Sequence, residues 1–294
     1  MIGELSGLGC AVIWAAVSSI MRSLSERISP IAINGLRCAF SVATLALLIL
    51  ALGRMDTLAA VPLAGAAAIV VSGIIGQSLG DGMFIASMKL IGASRALPVS
   101  GIQPLLTLGL AVLFLGERVT PESFAGTLLV ILGIYLLAFP YSPLNQAGAL
   151  LGSADRRGLL LALAAAACWA VSTIIIRRAL ESVDIVAANF IRLSTATLCL
   201  TGLELLLSRG RRPAGLSRRS LTILAIAGFI SAFSSMMYLT AVFYAGAAKA
   251  SVLSSTAPLF GLPISVLFLH EKISSRVVAG TLITVGGIWL VLGG

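Results

Sequence analysis

Three charged residues, Arg37, Asp81 and Arg192, stand inside otherwise apolar stretches. A charge in hydrocarbon costs about 3 kcal/mol or more unless it is paired or solvated, so residues of this kind mark chemistry. Arg37 lies roughly 10 Å into its apolar run, and Asp81 lies roughly 13 Å from the end of the next run that reaches the same side. The shared depth predicts an Arg37–Asp81 ion pair, direct or split by water. Arg192 repeats Arg37 later in the chain, but the position matching Asp81 there is Ser235 or Met236. Arg192 is therefore expected to lack an acidic partner. A lone guanidinium is suited to the carboxylate or phosphate of a substrate. The competing expectation is that both arginines snorkel to the headgroups. A carboxyl at the depth of Asp81 is either paired or a carrier of protons.

Other candidates lie in the same runs. Pro104 and Pro258 each free a backbone carbonyl within a span, and with Ser100, Gln103, Ser254, Ser255 and Thr256 beside them they form a candidate pocket lining. The alternative is a kink packed by its neighbours. Trp14 and Trp169 sit near the middle of their runs, where cavity lining and core packing are both open. Glu117 and Glu271 abut Arg118 and Lys272 at run ends, which suits an ion pair or a helix terminus. The chain has 1 His and 4 Cys, with no CxxC, HExxH, GxSxG or phosphate-binding glycine loop. Neither a metal, a cofactor nor a catalytic triad is expected. Cys10, Cys38, Cys168 and Cys199 read as small buried hydrophobes.

The elements that position these residues follow from composition. With 59% hydrophobic and 11% charged residues and a mean hydropathy of +1.07, the chain has too little polar surface to coat a soluble globule. Its apolar runs are unbroken rather than alternating, so helices span the bilayer. The 20 Lys and Arg against 11 acids sit mostly between runs, as orientation signals do, and imply lipid rather than nucleic acid as partner. Leu5 to Met21 lacks the basic flank of a secretory signal and is expected to stay in the mature protein.

The segment Gly92 to Gly133 is written a second time, 154 residues later, as Gly246 to Gly287. Trp14, Asn34, Arg37 and Gly73 likewise return as Trp169, Asn189, Arg192 and Gly228 at an offset of 155. The charges and turn residues mark ten spans, about 3–22, 30–52, 59–90, 95–116, 121–140, 157–177, 185–207, 220–246, 249–270 and 276–293. The third and eighth are each expected to be one long, tilted or broken helix. Five spans per half is odd, so the halves must enter the membrane from opposite sides. The expected fold is an all-α integral membrane protein of ten transmembrane helices in two inverted five-helix repeats. Residues 1–140 form the first repeat, 141–156 the linker and 157–294 the second.

The GASRA segment, the mid-span Pro104, the LFLGE end and the following AGTLLVILG together resemble the EamA family of the drug/metabolite transporter superfamily. The resemblance implies a secondary transporter of the bacterial inner membrane. It would be an alternating-access exporter of a small metabolite, amino acid or drug-like compound, coupled to protons or to exchange. Arg192, Arg37, Trp14, Trp169, Ser100, Gln103, Pro104, Ser254, Ser255 and Pro258 would then bind substrate, and Asp81 would couple to protons. The spans carry no dense set of aromatics, which weighs against aromatic amino acids as cargo. An intramembrane enzyme or lipid-handling protein built on Asp81 and Arg37 is the alternative. The oligomeric state is left open, a monomer included. Counting Lys and Arg by side gives five on the side of the termini and thirteen opposite, with Arg37 and Arg192 set aside. The positive-inside rule then puts both termini outside the cell, whereas the resemblance implies termini in the cytoplasm.

Overall fold

The computed structural model describes residues 1–138, 153–208, 216–257, 259–260 and 275–293. Pro258, half of the expected ninth span, Glu271 and the linker's core lie outside them. Among the described residues every regular element is helical, and six helices are long and apolar enough to cross a membrane by length and composition. They are α1 (Ile2–Leu24), α2 (Pro30–Ala51), the composite Leu63–Ile91, α9 (Ser153–Ala179), α10 (Ile185–Leu207) and α11 (Arg218–Ala245). A single turn, α3 (Asp56–Ala59), precedes the composite.

Local chemistry sets the boundaries. Ser29 accepts from the Ala32 amide at 3.1 Å with Pro30 opening α2, and Asp184 accepts from the Val186 amide at 2.9 Å to cap α10. The composite runs as α4 (Leu63–Ser72), a π-helical stretch Gly73–Gly80 and α5 (Asp81–Ile91), so the expected long, broken third span is one element with a widened middle. It stops at Gly92, whose φ of 78° suits only glycine, and α11 stops in the same way at Gly246 with φ 87°.

The expected fourth span differs from the sequence reading. In place of one helix, α6 (Ala93–Ser100) and α7 (Gln103–Leu115) meet at a two-residue break. The cause is Pro104: its ring excludes the helical carbonyl four residues back, and that residue is Ser100, where α6 ends. Pro104 thus opens α7 rather than kinking a continuous helix. In the second half α12 (Ala247–Ser254) also ends four residues before a proline. The remaining described helices are α8 (Pro121–Ala138) and α13 (Ser275–Gly293).

Packing pairs the helices antiparallel through small residues, as expected where backbones must approach without a hydrophobic drive between them. Cβ atoms at Gly126 and Gly133 would lie 2.7 Å from the carbonyl oxygens of Gly287 and Gly280, which sets α8 against α13 in opposite directions. In α1, Gly3 lies against Ala245 and Gly7 against Leu253 and Ala241; in α9, Gly158 lies against Ile91. The outward faces are apolar, with Leu47, Leu198, Leu206 and Trp289 all exposed, a surface that lipid rather than water would cover. Of the cysteines, Cys10 and Cys38 are buried as expected. Cys199 instead lies on the exposed face of α10, where a soft apolar side chain meets lipid.

Candidate functional site

A cavity of about 140 Å³ lies where α1, α2, the composite helix, α9, α10 and α11 converge with the α6–α7 and α12 breaks. Nine of the residues singled out from sequence line it: Trp14, Arg37, Asp81, Ser100, Gln103, Trp169, Arg192, Ser254 and Ser255. Pro104 does not. It is buried at the start of α7, and its role is to make the break that brings Ser100 and Gln103 to the wall.

The expected ion pair is direct. Arg37 Nη2 donates to Asp81 Oδ2 at 2.6 Å and to Asn34 Oδ1 at 2.6 Å, and both charged side chains are almost fully buried. Trp169 Nε1 donates to Asp81 Oδ1 at 2.8 Å, so both carboxylate oxygens are engaged. Asn34 in turn donates to the Gln77 carbonyl at 2.6 Å, satisfying an acceptor of the π-helical stretch. Arg37 also stands 6.0 Å from the centre of the Trp14 ring, and Trp14 meets Trp169 edge to face at 6.5 Å. Neither arginine snorkels: Arg37 is 2% and Arg192 4% exposed. The two helices present these side chains inward, where hydrogen bonds replace the headgroup water for Arg37 and do so only in part for Arg192.

The second half lacks this closure. Arg192 Nη2 donates to Ser172 Oγ at 3.1 Å, while its Nε and Nη1 find no protein partner. Among the described residues no carboxylate pairs with it. Ser235, one of the two positions that match Asp81, donates to Asn189 Oδ1 at 2.7 Å, and Asn189 Nδ2 is left without a partner. Glycines in the π-helical stretch create the room: Gly80 lies against the Trp169 ring, and a Cβ at Gly76 would lie 3.0 Å from Arg192 Nη2.

Sequence reasoning missed Gln77, Thr173, Ser231, Ser234 and Tyr238. Tyr238 shares a 2.6 Å hydrogen bond with Thr173 across the cavity wall. The signal was present, because Ser231, Ser234, Ser235 and Tyr238 fall at i, i+3, i+4 and i+7, a polar stripe on an otherwise apolar helix. Glu117 has a helix-terminus role. Its carboxylate accepts from the amides of Ala247 at 2.7 Å and Ala248 at 3.1 Å, which anchors the end of the first half's hairpin on the start of α12.

A bundle of apolar spanning helices around a polar, half-neutralised central cavity is the build of a multi-pass membrane transporter. The chain belongs to the EamA-like transporter family, whose model matches twice, over residues 1–139 and 156–293. An uncharacterized transporter of Archaeoglobus fulgidus is 27% identical over 99% of this chain and 98% of its own length. The uncharacterized transporter YvbV of Bacillus subtilis is 25% identical over 76% of this chain and 70% of its own. A solved structure described only as "Crystal structure of protein" shares the fold, with a TM-score of 0.77, 21% identity and coverage of 98% and 94% of the two chains.

Proposed function

We propose that this protein is a secondary transporter of the bacterial inner membrane, exporting a small metabolite, amino acid or drug-like compound by alternating access. The observation that carries the reading is the central cavity, walled by equivalent residues of both halves. Transport of this kind follows when two inverted repeats exchange conformations around one site near the midplane. Ten helices in two inverted repeats, 1–140 and 157–294, are supported by reciprocal contacts. A Cβ at Gly73 would lie 2.7 Å from the Arg192 carbonyl oxygen, and one at Gly228 would lie 2.7 Å from that of Arg37. Gly3 and Gly158, 155 residues apart, meet Ala245 and Ile91, 154 apart. Trp14 and its counterpart Trp169 meet each other.

Asp81 is the residue on which proton coupling would act, since loss of its charge releases Arg37 and Trp169 together. The test is flux in proteoliposomes bearing a defined pH gradient, with cargo found by a metabolite and toxin resistance screen. Solutes should appear across the membrane chemically unchanged and faster with the gradient than without it. Chemical conversion of the solute, or leakage equal to empty vesicles for every solute that the screen returns, would sink the reading.

Orientation rests on the thirteen basic residues opposite the termini. Both termini are placed outside the cytoplasm. Alkaline phosphatase fused after Gly294 should therefore be active, and cytoplasmic fluorescence from the same fusion point in GFP would reverse the assignment.

A further inference from the structure

The geometry points to a substrate that carries a single negative charge and no positive one: a small carboxylate with an apolar body, seated against Arg192. The inference rests on the transport reading of the same cavity and adds the chemical class of the cargo.

The charges around the cavity do not cancel. Arg37 and Asp81 neutralise each other at 2.6 Å, and Asp81 spends its second oxygen on Trp169. Arg192 remains as one buried cation with Nε and Nη1 unpartnered. The other buried side-chain atoms without a partner in this region are Arg37 Nε, Asn189 Nδ2 and the Ser231 hydroxyl. All the nitrogens are donors, and the hydroxyl can donate; none of these fully buried atoms is an acceptor alone. An uncompensated guanidinium in a membrane interior is costly, and an incoming carboxylate removes that cost while meeting donors already in place. An ammonium group gains less, because Asp81, the one carboxylate of the wall among the described residues, is already paired with Arg37 and accepts from Trp169. A zwitterionic amino acid is thus disfavoured relative to the matching simple acid. The duplication sharpens the argument, since the first half has Asp81 where the second half has Ser235 or Met236, neither of them an acid. The cavity is about 140 Å³, close to the roughly 150 Å³ that accommodates a benzene ring, and Trp14, Phe84 and Trp169 supply apolar wall.

The test uses the full-length protein in detergent and titration calorimetry with four probes of similar shape: benzoate, benzamide, benzylammonium and phenylglycine. Benzoate should bind, and the other three should bind at least tenfold more weakly. Arg192→Gln should weaken benzoate by about 10- to 100-fold, the loss of charge-assisted hydrogen bonds. Ser235→Asp, which places a carboxylate at one of the two positions that match Asp81, should do the same by occupying Arg192 from within. It serves as the second variant if Arg192→Gln does not fold. Benzamide or benzylammonium binding as tightly as benzoate would overturn the inference, as would benzoate binding unchanged in both variants. Because the readout is binding, it is separable from transport. Failure of benzoate while another solute crosses unchanged defeats the anion assignment and keeps the transporter. Benzoate bound at Arg192 with no solute crossing does the reverse.

Discussion

Asp81→Asn should destabilise the protein by about 3–5 kcal/mol, because it strands the Arg37 guanidinium without a counter-charge in a buried setting. Arg37 is 2% exposed, and its Nη2 spends its hydrogen bonds on Asp81 and Asn34, so the variant leaves the guanidinium with Asn34 and without a counter-charge among the described residues. The double variant Arg37→Met/Asp81→Asn should recover most of that loss. It removes both charges and leaves an amide oxygen to accept from Trp169. Thermal unfolding in detergent orders the three proteins: wild type and the double variant close together, the single variant well below. If the double variant melts as low as the single one, the pair is not the source of the stability.

The same variants separate two roles for Asp81. A counter-ion alone predicts that the double variant regains both stability and gradient-driven flux. A proton carrier predicts that stability returns while the response to the pH gradient stays lost. The second outcome is expected under the proposed coupling, and its measure is flux in vesicles with and without an imposed gradient.

How far the sequence could foresee this site depends on the range of the interaction. Arg37 and Asp81 were legible because both sit in apolar runs whose ends are marked, so depth follows from counting residues. The repeated stop was legible because the segment beginning at Gly92 is written again from Gly246, and both glycines adopt positive φ. The α6–α7 break was within reach through Pro104 but not separable from a kink, since a proline permits either until its neighbours choose. A helix-terminus role for Glu117 was among the expectations, but that the helix is α12 was not legible. The contact joins positions 130 residues apart, and an acid beside Arg118 is explained locally without it. The engagement of Asp81 by Trp169 was hidden for the same reason, since it needs Gly80 to bring α9 close.

Gly73→Val and Gly228→Val apply the same steric insult to the two halves and should have different consequences. Each glycine faces backbone, with its Cβ position 2.7 Å from the carbonyl oxygen of Arg192 or Arg37 respectively, so neither neighbour can yield by a rotamer change. Overpacking of this kind costs about 1–3 kcal/mol, and a β-branched side chain against a backbone oxygen belongs at the upper end. Both variants should therefore melt lower than wild type by similar amounts. Displacing α2 through Gly228 moves an arginine that is held to Asp81 and Asn34 and is not the cargo's receptor. Displacing α10 through Gly73 moves Arg192, the proposed receptor of the cargo's carboxylate, whose Nε and Nη1 have no protein partner. Benzoate binding should fall about tenfold or more in Gly73→Val, by analogy with the loss of a charge-assisted hydrogen bond, and change less than threefold or so in Gly228→Val. Calorimetric titration of both proteins at a temperature where each is folded makes the comparison. Equal losses in the two variants would mean that the halves contribute alike to binding and that the absence of an acid beside Arg192 has no functional weight.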